Sequence, residues 1–195
     1  INNITSYTRK SLSQSDYIKP TVTIKDIFEF EKIIQNFGNK FHELIYGKTK
    51  IDRFLGNASF RCTFGFPSVK LDKSVILCSP RNVDKKKIKI KDFIYVSDGV
   101  FCGKERPSVD SQIHIKLYDN FKELNYIIHS HVYIKGAPFT KTIIPCGCLE
   151  EFNEIIEICR DKDYQDYKIK NKQINLLGHG SIILAKELQD FENIE

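Results

Sequence analysis

In the stretch NYIIHSHVYIKGAP, two histidines one residue apart, His129 and His131, follow an apolar run. β-branched and aromatic residues make that run a strand, and side chains two apart on a strand project to the same face. Both imidazoles can then reach one ion about 2 Å away. The competing reading is two polar residues at the end of an ordinary strand. A third metal ligand has to come from elsewhere in the chain. His179 is the leading candidate, because glycines flank it in LLGHGSII and allow an unusual backbone and a close approach. Three histidines leave one coordination position open, which is the pattern of catalytic rather than structural zinc.

A metal with an open position needs an acid–base partner. RPSVDSQIH offers Asp110 at a helix start, where the helix dipole favours a carboxylate, although Asp is also a common first-turn residue. His114 lies four residues on, on the same helical face, and could pair with it. In FLGNASFR, Gly56-Asn57 followed by a small residue could turn backbone N–H groups toward an anion; taken alone it is a turn signal. His42 reads as a surface or boundary residue. The six cysteines include no C-x-x-C pair and mostly sit beside apolar residues, as small buried hydrophobes do. Cys146 and Cys148 in CGC could hold a soft metal, but no second cysteine pair supports that spacing.

The elements that must position these groups follow from periodicity. Residues 1–20 are polar, end at Pro20 and read as an N-terminal arm; residues 21–195 read as one domain. Ile27, Phe30, Ile34, Phe37, Phe41 and Leu44 recur near helical spacing over residues 24–47, with Gly38 a point where two helices could divide. GNASFRCTFGF, KSVILCS and KIKIKDFIYVSDG read as strands joined by turns. Pro107 suits a first helical turn, with Val109, Ile113, Leu117, Phe121 and Leu124 at helical spacing behind it. YIIHSHVYI is a strand. CLEEFNEIIEICRD is a helix with Leu149, Phe152, Ile156 and Cys159 on one face. QINLLGHGSIILA is two strands around the Gly-His-Gly turn, and KELQDFENIE closes as a short helix. This order argues a sheet covered by helices.

Composition sets limits. The chain of 195 residues is 41% apolar and 28% charged, ordinary for a globular domain that buries its own core. The net charge of +5 comes largely from Lys scattered as in VDKKKIKIKDF, a solvated face. Arg is scarce and not interleaved with aromatics, so nucleic acid is not an expected partner. No run approaches a membrane span, which leaves no membrane association and a cytoplasmic location as the default expectation.

The order of GNASFR, VSDG, RPSVDSQIHIKLY, IIHSHV and LLGHGSIIL resembles the class II aldolase/adducin family, the group containing fuculose- and rhamnulose-phosphate aldolases. The resemblance runs from about residue 24 onward. It implies a three-layer α/β/α domain with a largely antiparallel central sheet, assembled as a homotetramer with sites between neighbouring subunits. It implies one Zn2+ per chain on His129, His131 and His179, a catalytic carboxylate at Asp110, and phosphate-binding segments at Gly56-Asn57, Asp98-Gly99 and Ser108-Val109. The implied activity is a zinc-dependent lyase of the aldolase type, acting on a C–C bond of a small hydroxy-carbonyl or sugar (phosphate) substrate. Asp110 would carry the proton, provided that an apolar pocket raises its pKa. The alternatives are a metal-dependent dehydratase or decarboxylase of the same family, or a non-catalytic, adducin-like assembly domain.

The chain also departs from the pattern. Asp98 stands where a hydroxyl residue is usual, and its charge would repel a phosphate. Val109 cannot donate a hydrogen bond, and Asp110 is one methylene shorter than the usual Glu, enough to move a carboxylate by roughly 1 Å and slow proton transfer. The stretch after His131 is shorter than a helix-containing segment of the aldolases. Metal binding is expected to be intact and substrate handling altered.

Overall fold

The protein is seen in a computed structural model that describes residues 8–9, 17–20, 22–38, 42–44, 52–65, 75–97, 99–159, 169, 172–192 and 194. Among these the chain runs β1 (Thr8–Arg9), β2 (Tyr17–Pro20), α1 (Ile24–Asn36), β3 (His42–Leu44), β4 (Asp52–Phe54), β5 (Asn57–Gly65), β6 (Val75–Cys78), a 3-10 turn (Ile90–Asp92), β7 (Ile94–Ser97) and β8 (Val100–Cys102). It continues through α2 (Ser111–Asn120), β9 (Tyr126–Ser130), α3 (Glu150–Cys159), β10 (Gln173–Leu176), β11 (Gly180–Ala185) and a last 3-10 turn (Leu188–Phe191).

The main sheet has the order β1-β8-β7-β6-β5-β9-β11-β10, with β2 beside the second half of β5. Its pairings are antiparallel except β1 with β8. Two stretches of the expected arm, β1 and β2, thus belong to this sheet. Period-two alternation decides which side each residue faces. On β5, Ala58, Phe60 and Cys62 join Tyr126 and Ile128 of β9 and Ile27, Phe30 and Ile34 of α1 in one core. Across the sheet, Ile127 and Ile182 pack with Ile113, Leu117 and Tyr118 of α2 and Ile155 and Cys159 of α3. The result is a three-layer α/β/α architecture on a largely antiparallel sheet, as expected.

Helix α1 starts at a capping box: the Asp26 N–H donates to Thr23 Oγ1 at 3.2 Å and the Thr23 N–H to Asp26 Oδ2 at 3.3 Å. It ends at Asn36, short of the expected residue 47. Gly38 sits against Lys86, where a Cβ would overlap, and residues 42–44 pair with β4 instead of continuing a helix.

The Ile-Lys alternation that opens KIKIKDFIYVSDG, residues 87–93, is not a strand either. The Glu31 carboxylate accepts from the Ile90 N–H at 2.8 Å and from Lys89 Nζ at 3.1 Å, and Gln35 Nε2 donates to Ile88 O at 2.9 Å. Side chains of α1 therefore take the backbone groups that a ladder would use, and the strand begins only at Ile94. Pro107 lies outside α2, in an isolated bridge with Pro80, and the helix starts four residues later. The strands and turn of QINLLGHGSIILA form as read, and the closing helix is one 3-10 turn. No helix of the described residues is long and apolar enough to cross a membrane.

Candidate metal centre

Strand register gathers the polar residues at one end of the sheet. Asn57, the first residue of β5, lies opposite His129 near the end of β9, and Ile182 flanks His129 from the other side. Period two then puts His131 on the same face, one residue past β9. His179 arrives in the three-residue turn from β10 to β11. Gly180 (φ 130°) makes that approach possible, because a Cβ there would overlap the Ser130 carbonyl. The three imidazoles meet. Ring centroids are 5.0 Å apart for His129 and His131, 4.6 Å for His129 and His179, and 4.9 Å for His131 and His179. One ligand nitrogen from each falls within 4.8 Å of the others.

Two of these rings are oriented by bonds on their far nitrogens. His129 Nδ1 lies 2.9 Å from the Ser181 carbonyl, so it carries the proton and leaves Nε2 a lone pair. His179 Nδ1 lies 2.8 Å from Glu151 Oε1 of α3. The Nε2 atoms of both rings are buried with no hydrogen-bond partner. Buried polar atoms without partners are costly, and two lone pairs converging on one point are what a divalent cation would satisfy. A carboxylate behind a histidine is also the usual support of a metal-ligating ring. The donor set therefore fits a zinc-type ion.

Charge sets the two rings apart. Burial, and then the neighbouring His179, hold the His129 pKa well below its ordinary value, so the ring is neutral and able to ligate. Burial pulls His179 the same way, but the hydrogen bond and charge of Glu151 outweigh it and raise its pKa. Burial raises Glu151.

Asp110 is the N-cap residue of α2, yet its side chain does not cap the helix. Oδ2 accepts from Asn57 Nδ2 and Ser108 Oγ, both at 3.1 Å, and lies 3.9 Å from His129 Nε2; Oδ1 accepts from the Cys146 thiol at 3.2 Å. Burial pushes its pKa up, but His179, whose own pKa is raised, and the thiol oppose this and hold it below the ordinary carboxylate value. The sequence reading required the opposite shift: Asp110 is an ionised carboxylate at neutral pH. Nor does its carboxylate bond the His114 ring, whose Nδ1 lies 2.8 Å from Ser59 Oγ; Ser59 Oγ in turn lies 3.0 Å from the Tyr118 hydroxyl.

Of the segments expected to bind phosphate, Gly56, Asn57 and Ser108 stand at this centre. Gly56 and Ser108 line a narrow cleft beside it with Arg81, Asn82, His131 and Cys146. Gly99 does not join them. β7 pairs with β6 so that Ile94 faces Cys78 and Val96 faces Ile76, which sends the turn after Ser97 to the opposite end of the sheet. Asp98 lies outside the described residues, as does the side chain of His42.

Sequence reading missed Arg81, Asn82 and Glu151, and offered Cys146 only as half of a CGC pair with no second cysteine pair behind it. The first two left a signal in SPRN, a polar turn after an apolar strand; Asn82 has φ 56° and accepts from the Phe54 N–H at 3.1 Å. Glu151 left another: with Ile155 and Cys159 it forms the fully buried stripe of α3, where an acid has no place without a partner.

The α/β/α domain thus brings three histidines together beside a held carboxylate, a group that could hold a metal ion. Residues 41–189 match the model of the Class II Aldolase and Adducin N-terminal domain, and the chain belongs to that family, one of lyase type. No curated protein matches it in sequence. Solved structures share its fold at low identity. A sugar-phosphate aldolase from Thermotoga maritima is 13% identical with a TM-score of 0.58 over 85% of this chain and 87% of its own. YgbL of Escherichia coli, provisionally described as an aldolase/epimerase/decarboxylase, is 16% identical with a TM-score of 0.56 over 86% and 81%. The L-fuculose-1-phosphate aldolase of Thermus thermophilus is 17% identical with a TM-score of 0.53 over 87% and 84%.

Proposed function

We propose that this chain is a zinc-dependent lyase of the aldolase type, holding one ion per chain on His129, His131 and His179 and making or breaking a C–C bond in a small hydroxy-carbonyl substrate. The observation that carries the proposal is the pair of buried, unpartnered Nε2 atoms aimed at one point, each on a ring fixed from behind. Bound there, the ion supplies Lewis-acid stabilisation of charge developing on a substrate oxygen. The chain's own residues do the rest. Asp110, ionised and held by Asn57, Ser108 and Cys146, starts as the proton acceptor and returns the proton later. Arg81, with Gly56, Asn82 and Ser108 along the same cleft, receives an anionic group of the substrate, a phosphate or carboxylate. Arg81 is the cation of a cleft that also holds the Asp110 carboxylate, and it supports a charged substrate despite the altered motifs. Exposed Val132, Tyr133, Phe139 and Ile143, on the stretch that follows His131, suit contact with a neighbouring copy, as a homotetramer would provide.

The test is aldehyde release from phosphorylated and free hydroxyketones. Release should require a divalent metal. Asp110→Asn should lower kcat by roughly 10²–10⁴-fold. Arg81→Ala should raise KM for the anionic substrate more than for its neutral analogue. Metal-loaded protein that releases aldehyde from none of them, but eliminates water or carbon dioxide, would turn the assignment to dehydratase or decarboxylase. Loss of all turnover with metal bound would favour the assembly-domain reading.

A further inference from the structure

Cys146 lies where the centre opens. It lines the cleft with Gly56, Asp110 and His131, and its Sγ lies 3.2 Å from Asp110 Oδ1. Sγ, an Asp110 oxygen and a His179 nitrogen fall within 4.8 Å of one another, the same limit that contains the three imidazole nitrogens. We infer that Cys146 is the fourth protein ligand of the ion in its resting state, a thiolate in the coordination position that three histidines leave open. The inference rests on the metal reading above.

Three observations carry it. The rings that would share the ion have Nε2 atoms buried and unpartnered, His129 being 1% and His179 8% exposed, so a cation is called for between them, and the thiol stands beside one of the two, His179. The thiol is held in place. Gly147 (φ 80°) presses on Val109, where a Cβ would overlap, and the Cys148 N–H closes the turn on Pro145 O at 3.1 Å with Cys148 itself buried. The Pro-Cys-Gly-Cys turn is thereby docked against the segment that bears Asp110. Finally, Asp110 is the weaker competitor for the position. Its Oδ2, the oxygen nearer His129, already accepts from Asn57 and Ser108, and freeing it would strand those donors. Thiolate is a preferred zinc ligand in its own right. The step balances simply: the S–H proton leaves to solvent through the cleft mouth as the sulfur–metal bond forms, and nothing is oxidised. Of the two cysteines in CGC, only Cys146 is placed to ligate.

X-ray absorption at the zinc edge of the zinc-loaded full chain tests this. The expected result is one sulfur scatterer at about 2.3 Å beside nitrogens at about 2.0–2.1 Å. Cys146→Ser should lose the sulfur shell and keep one zinc per chain; Cys148→Ser should keep the shell. A wild-type shell of nitrogen and oxygen alone, or sulfur persisting in Cys146→Ser, overturns the inference and leaves the metal reading standing. A chain that takes up no metal overturns both. Should Cys146→Ser fail to fold, alkylation of the wild type decides: zinc must slow iodoacetamide labelling of Cys146 at least tenfold, and unchanged labelling counts against the assignment.

Discussion

The two faces of the sheet are built from the same strands and do different work. Toward α1, β5 and β9 present Ala58, Phe60, Tyr126 and Ile128 to an aromatic core in which Phe30 meets Tyr126 at 4.8 Å, Phe191 at 5.6 Å and Phe60 at 6.2 Å. Toward α2 and α3 the same strands present Asn57, Ser59, Ile127 and His129, apolar in the middle and polar at one end. Alternation of side chains therefore separates stability from chemistry residue by residue. Every buried imidazole of the described residues lies on the second face. Damage to one face should be readable separately from damage to the other.

The largest effect on stability belongs to the aromatic face. Phe30→Ala should cost about 3–5 kcal/mol in urea unfolding and leave the metal stoichiometry of the folded protein unchanged. A loss of metal affinity in that variant would mean that the faces are coupled.

Next comes acid sensitivity on the polar face. Burial holds His114 down to about 4 against 6.5 for the free side chain, so it folds neutral. Its contribution is complete above pH 6.5 and is lost as pH falls toward 4, because the unfolded chain takes up the proton first. The difference corresponds to about 3 kcal/mol over that window. The slope of stability against pH should flatten in His114→Gln, and equal slopes would contradict neutral burial.

Glu151→Gln addresses the ring behind which the carboxylate sits. Metal affinity should fall roughly 10–100-fold while the melting temperature of the metal-free protein moves little. Smallest of all, Lys32→Ala on the exposed side of α1 removes an ion pair with Glu29 at 3.3 Å and should shift stability by less than about 0.5 kcal/mol.

The same comparison explains what was legible in the sequence. Local spacing carries His129 and His131 to one face whatever the rest of the fold does, and the glycines around His179 announce a tight turn. Those signals are written within a few residues. Glu151, Arg81 and Cys146 come to the centre only through contacts between distant segments, 28 residues between His179 and Glu151 and 36 between Asp110 and Cys146. Glu151 was visible only as an acid on an apolar stripe. Gly99 misled for the converse reason: a glycine turn shows that the chain reverses and not at which end of the sheet. Residues 87–93 failed as the start of a strand because Glu31 and Gln35 bond their backbone, which no alternation of Ile and Lys reveals.

Calorimetric titration of zinc into the metal-free chain, beside His179→Ala, tests the central claim most directly. The account predicts one ion per wild-type chain and affinity lower by several orders of magnitude in the variant, with the far-ultraviolet circular dichroism of the two unchanged. Equal zinc binding by wild type and variant, or none by either, would contradict it.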